Sequence, residues 1–172
     1  MNKYNEYNYA TALYEIDSSD KILSQLFTIN NAFNDGEIKK FFFAKNIKKA
    51  KKKEVIDVLN VDEKIKNLLK ILIDEENFNL LNKIVDNYKD KFYFDNKIQE
   101  IMIYTAYELS QEQMENIKLK LEKQLGCDVI INYKIDHNLI GGIKIKYNNK
   151  LIDNTILKQL EEMKKNIEEF YE

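Results

Sequence analysis

The chain reads as a mainly α protein: an N-terminal six-helix bundle followed by a small C-terminal α/β domain in the order β-α-β-β-α. Three observations carry this reading. Apolar residues recur at helical spacing up to about Phe94, and beyond Ile98 helical and period-two stretches alternate. Gly36 is the lone glycine of the first 125 residues, whereas Gly126, Gly141 and Gly142 crowd the last 47. No proline interrupts any segment, so helices can run unbroken. A chain of 172 residues can hold two such units. The expected division is 1–105 and 106–172, with a linker near 95–105.

The helices follow in order. Residues 3–16 form the first. Residues 19–33 form the second, with Ile22, Leu26, Ile29 and Phe33 on one stripe. Gly36 permits a turn, and 37–43 carries Ile38 and three consecutive phenylalanines. Residues 50–60 carry Val55, Ile56 and Leu59; 62–74 is rich in leucine and isoleucine; 77–94 places Leu81, Val85, Tyr88 and Phe92 together. Short connections make neighbours antiparallel. In the second domain, 99–107 is extended, rich in β-branched and aromatic residues. Ser110 and Gln113 have capping-box spacing before a helix that ends at Gly126. Val129 to Ile135 and Ile143 to Tyr147 alternate as strands. The final helix, about 154–171, puts Ile156, Leu160, Met163, Ile167 and Phe170 on one face.

Composition excludes several functions. Net charge is −2, so no global field favours nucleic acid or acidic lipid. The single Cys127 and single His137 give no disulfide, zinc site or Cys–His pair. His137 falls in a turn, and Gly141-Gly142 lacks the spacing of a phosphate loop. No catalytic, cofactor-binding or metal-binding set emerges, so an enzyme is not expected. All 27 basic residues are lysine, which removes bidentate arginine clamps. The lysine run at 45–53 could contact phosphate, but reads better as a solvated helix start without an interleaved aromatic platform.

Two helices are apolar on more than one side. In the first, Tyr9, Ala12, Leu13 and Ile16 make one stripe and Tyr7, Ala10 and Tyr14 a second; in 62–74, Leu68, Leu69, Ile71, Leu72 and Ile73 nearly encircle the helix. Such helices are either central in the bundle or line a groove for a partner's amphipathic helix.

Motifs along the whole chain resemble the delta subunit of bacterial F-type ATP synthase, the counterpart of the mitochondrial oligomycin-sensitivity-conferring protein. Tyr9-Ala10-Thr11-Ala12-Leu13 is similar to the family's opening Tyr-Ala-x-Ala-Leu. Asn67 to Leu72, with Asn77 and Leu80, parallels its Asn-Leu-Leu-x-Leu-Leu…Asn-x-x-Leu stretch. Most specific is Asp136-His137-Asn138-Leu139-Ile140-Gly141-Gly142 followed by Ile152-Asp153, which parallels Asp-x-x-Leu-Ile-Gly-Gly…Ile-Asp.

The resemblance implies a non-catalytic stator connector, peripheral at the cytoplasmic face of the bacterial cell membrane. Its partners would be the N-terminal helix of an alpha subunit and the b subunits of the peripheral stalk. Tyr9, Ala10, Leu13, Tyr14, Leu68, Ile71, Leu72 and Glu75 are the residues expected at the alpha helix. Leu139, Ile140, Ile143, Leu160, Met163 and Ile167 are those expected at the stalk. A helical adaptor outside the synthase and a lysine-rich nucleic-acid binder are the competing readings.

Overall fold

A computed structural model describes residues 5–148 and 150–169, with side chains up to 166. It divides into two compact units, Met1–Asp95 and Asn96–Glu172. The break therefore lies ten residues ahead of the expected 105. The reason is that the segment 98–105 is an interior strand of the second unit's sheet, hydrogen-bonded on both sides.

The first unit is helical throughout: α1 (Glu6–Ile16), α2 (Asp20–Phe33), α3 (Gly36–Phe43), α4 (Lys49–Asp57), α5 (Glu63–Asp74) and α6 (Leu81–Asp95), with a 3-10 turn, Phe78–Leu80, before α6. Short polar side chains start most of these helices. Asn5, Ser19, Asp35 and Asp62 each accept a hydrogen bond from a first-turn N–H. Gly36 opens α3 instead of merely preceding it, because Asp35 accepts from Glu37 and Ile38 and so draws the helix start forward.

The apolar stripes converge on one core. Ile22, Leu26, Ile65, Leu69, Leu72, Ile84 and Tyr88 are wholly buried. Tyr14 meets Tyr88 edge-on at 5.3 Å. A second aromatic group joins α2, α3 and the 3-10 turn: Phe42 stacks on Phe78 at 4.8 Å and meets Phe33 at 4.7 Å.

The second unit runs β1 (Ile98–Thr105), α7 (Gln111–Leu125), β2 (Asp128–Ile135), β3 (Gly142–Tyr147), β4 (Lys150–Thr155) and α8 (Ile156–Glu169). This is the predicted α/β domain with one strand more. The sheet order is β2-β1-β3-β4. β1 and β2 are parallel, which requires the crossover that α7 supplies. β3 and β4 form a hairpin in which Tyr147 pairs with Lys150. Asn148 takes φ +43, a conformation that asparagine tolerates in tight hairpin loops. Ile101, Ile103, Leu121 and Val129 are the centre of the core between α7 and the sheet. The Ser110–Gln113 capping box forms, and Gly126 ends α7 at φ +67.

One cluster fastens the bundle. Tyr88, buried on α6, donates its hydroxyl to the carbonyl of Asp17 at 2.6 Å. The Asp17 carboxylate, just past α1, accepts from the Ser19 N–H and from the ammonium of Lys64 on α5. The Lys64 hydrogen bond, with those from Ser19, holds the Asp17 pKa down to about 2. A pKa lowered by folding stabilises the native state above the unfolded-state value and stops doing so as pH falls through the folded one. Asp17→Asn should therefore lower the melting temperature at neutral pH. The gap between wild type and variant should narrow as pH falls from about 4 through the folded value near 2, as the Asp17 carboxylate becomes protonated; melts across that range check it.

Candidate partner-binding surfaces

α1 and α5 lie antiparallel and side by side. Asp17, after the end of α1, bonds Lys64 at the start of α5, while the Tyr9 hydroxyl near the start of α1 accepts from Asn77, past the end of α5, at 3.5 Å. Helical phase then fixes which residues border the seam. On α1 the row is Tyr9, Ala12 and Ile16, at i, i+3 and i+7. On α5, Leu68, Ile71 and Glu75 continue the row that begins at Lys64.

The structure separates the eight residues expected at the alpha helix into two sets. Tyr9, Ala10, Leu13, Tyr14, Leu68 and Leu72 are buried within the bundle, whereas Ile71 (49% exposed) and Glu75 are open. The buried band of α1 straddles both sequence stripes: Tyr9 and Leu13 come from one, Ala10 and Tyr14 from the other. What remains open is the outer edge, with Ile16 at 65% exposure and the exposed Ala12 beside it. Thus Ile71 faces out across from Ala12 and Ile16, and Leu13 and Leu68 are the buried floor below them. Ala12 and Ile16 were visible as a stripe in the sequence but are absent from the expected groove set; their spacing of three and seven from Tyr9 was the available signal.

The lysine run is only partly solvated. Lys52 caps the end of α3, donating to the carbonyls of Phe42 at 2.7 Å and Ala44 at 2.9 Å. Lys49 donates to the Asp74 carbonyl at 2.8 Å and pairs with Glu76 at 2.9 Å; Lys53 pairs with Asp74. Three of the six lysines thus hold the bundle together.

In the second unit the Asp-x-x-Leu-Ile-Gly-Gly…Ile-Asp segment is a latch. Asp136 donates its N–H to Thr105 and accepts at its side chain from Asn138. Leu139 turns inward and is buried, while Ile140 points out. Gly142 has φ +85, and a Cβ there would lie 2.3 Å from the carbonyl oxygen of Asn154. Asp153 accepts from both the N–H and the hydroxyl of Thr155, at 3.1 and 2.6 Å. The hydroxyl hydrogen bond of Thr155 is the main reason the Asp153 carboxyl is held below the ordinary carboxylate range. The Thr155 hydroxyl in turn accepts from Lys158 in the first turn of α8, and Ile156 N–H donates to Gly141. The latch therefore fixes where α8 leaves the sheet.

α8 itself keeps its apolar face in the open. Ile156, Leu157, Leu160 (53%) and Met163 (59%) are all exposed. Leu160 and Met163, named as candidates for a partner surface, thus lie open rather than packed on the sheet. The reason lies in β1 and β3, whose inward side chains already pack with α7 through Leu121, Ile117 and Leu125. Of the six stalk candidates, Leu139 is buried and Ile143 packs partly buried against the α7 core. Ile140, Leu160 and Met163 are open. The side chain of Ile167, like Phe170, lies outside the described residues.

Comparison with known proteins covers both units at once. Residues 6–167 match the family model described as ATP synthase delta (OSCP) subunit. The chain is 34% identical over 175 aligned residues to ATP synthase subunit delta of Rickettsia conorii, covering 96% of this chain and 95% of that protein. To the Rickettsia prowazekii protein of the same name it is 33% identical, covering 96% of each. Among solved structures, a chain in the Toxoplasma gondii mitochondrial ATP synthase hexamer shares the fold, with a TM-score of 0.63 and 17% identity over 96% of this chain and 98% of that one.

Gly142→Ala should cost about 2 kcal/mol or more, since it adds left-handed strain to an overlap with backbone rather than with a flexible side chain. Gly36→Ala, at a helical position with open space around it, should be neutral or slightly stabilising. Urea denaturation of both variants separates the two cases.

Proposed function

The chain belongs to the ATP synthase delta (OSCP) subunit family, and from that membership we propose that it is the stator connector of a proton-translocating F-type ATP synthase. In this reading it catalyses nothing itself. Its first unit holds the N-terminal helix of an alpha subunit on the catalytic head. Its second unit holds the b subunits of the peripheral stalk. The head is thereby kept from turning with the rotor. The observation that carries the proposal is the family match from residue 6 to 167, which spans both units.

A connector has to resist torque, and the physical demand is slow dissociation from two partners at once. An amphipathic helix in an apolar groove meets it through a few anchors at i, i+3, i+4 and i+7. The α1–α5 seam offers that shape, with Ala12 and Ile16 on one lip and Ile71 on the other. Ala12 is small, so a helix backbone can come close at mid-groove. Glu75 stands as a charged rim. The open face of α8, with Ile140 from the latch, offers a second surface for the stalk. Association with the membrane would come through the complex, at the cytoplasmic face of the bacterial cell; among the described residues no helix is long and apolar enough to cross a bilayer. The nucleic-acid reading is weakened because Lys49, Lys52 and Lys53 already hold protein partners.

Two substitutions test the division of labour in the full-length chain. Ile71→Asp should weaken binding of a synthetic peptide from the alpha-subunit N-terminus by tenfold or more, about 1.4 kcal/mol at least, with circular dichroism unchanged. Leu160→Asp with Met163→Asp should abolish capture of the b-subunit stalk and spare the peptide. Unchanged peptide affinity in Ile71→Asp would remove the α1–α5 seam as the head contact.

A further inference from the structure

A cavity of about 560 Å³ lies among the end of α3, the loop 44–48, the start of α4 and the end of α5. Its lining brings Lys45, Lys48, Lys49 and Lys52 together against one carboxylate, Glu76. That carboxylate is already engaged by Lys49 at 2.9 Å. Lys52 is 9% exposed, and the partners of its ammonium are the two carbonyl oxygens that it caps, neutral acceptors both. The side chains of Lys45 and Lys48 are exposed and form no ion pair among the described residues. Glu76 is the single carboxylate that Lys45, Lys49 and Lys52 share, so positive charge outnumbers negative around the hollow.

Three more features accompany the charge. Phe43, also lining the cavity, is 46% exposed and stands edge-on to Phe78 at 6.3 Å, so an open ring borders the lysines. Glu76 adopts φ +57, a left-handed conformation that suits glycine or asparagine better than glutamate. The strained residue is thus also the cavity's lone acid. α4 follows Lys48 as its N-cap, with no side-chain cap and no acid in its first turn, unlike α1, α2, α3, α5 and α7.

We propose that this cavity binds a phosphate-bearing small molecule of the nucleotide class, its phosphates held by Lys45, Lys48 and Lys52 and its ring set against Phe43. Glu76 acts as the internal carboxylate that the phosphates displace from the lysine cluster. The four lysines, Phe43 and Glu76 are not among the residues named for the head or stalk contacts, so this proposal can fail without the connector reading failing.

Isothermal titration of the full-length chain with ATP and with tripolyphosphate, at low salt, tests it. ATP should bind saturably with one site per chain, about fivefold or more tighter than tripolyphosphate, from stacking on the ring. Lys45→Ala with Lys48→Ala should weaken ATP by roughly tenfold without moving the melting temperature. Glu76→Asn should tighten it severalfold, since it removes the competing carboxylate. Phe43→Ala should erase the advantage of ATP over tripolyphosphate. Absence of saturable binding, or binding indifferent to Lys45, Lys48 and Glu76, would overturn the site. Equal affinity for ATP and tripolyphosphate in the wild type would overturn the ligand class.

Discussion

The hydroxyl of Tyr88 is the constraint on which the helical unit turns. A phenol buried to zero exposure must find an acceptor, and the one within reach is the main-chain carbonyl of Asp17. That bond sets the end of α1 against α6. The side chain of the same aspartate reaches Lys64 and so sets α1 against α5. With both fixed, α1 can bury only the band from Tyr9 to Tyr14 that faces its two neighbours. Its outer edge, Ala12 and Ile16, is left beside Ile71. The open apolar seam is thus a consequence of how the core closes, and no loop or insertion is needed to make it.

Much of this could be read from the residues. The helical stripes of α2, α5 and α6, the Ser110–Gln113 box and the strands at 129–135 and 143–147 all follow from local periodicity and turn chemistry. The misreadings have physical causes. β4 is a six-residue edge strand whose Leu151, Ile152 and Asp153 show no clean alternation, and its Asn-Asn turn was the signal that it existed. The sequence division falls at 105 although 99–107 reads as the second domain's first extended stretch, because the alternation of Ile101 and Ile103 does not reveal the strand's sheet partners. The face of α1 stays open in the sequence because two stripes on one helix leave the wheel undecided; Tyr88 and Lys64, far along the chain, decide which band is buried. The face of α8 carries the same ambiguity. A helix with one apolar face looks alike whether that face meets its own sheet or another protein.

The latch in the second unit shows what a glycine signature can do without binding anything. Gly142 lets the backbone of β3 touch that of β4 at Asn154, and Thr155 then serves at once as strand end and helix cap. Asp153 orients that threonine. The departure point of α8 is therefore set by main-chain contact and short polar side chains, none of which need a partner. A helix held at its root with its apolar face free is suited to receive an elongated stalk, because the free face can bury against the stalk without first unpacking from its own sheet.

Lysine does here what glycine often does at helix ends. Among the described helices only α7 closes on glycine; α3, α4 and α5 end in chain that leaves carbonyls pointing outward. Lys52 reaches the last carbonyls of α3, Lys66 that of Asp57 on α4, and Lys49 that of Asp74 on α5. Each places positive charge at the negative end of a helix dipole, so the caps stabilise by charge as well as by hydrogen bonding. Two of the three caps, Lys49 and Lys52, come from one turn of α4 and serve the helices on either side of it. This draws ammonium groups to a single place in the bundle. The neighbouring Lys45 and Lys48 add to that charge, and the one acid present, Glu76, already answers Lys49. A chain without arginine and nearly without glycine in this unit thereby closes its helices and concentrates positive charge by the same act.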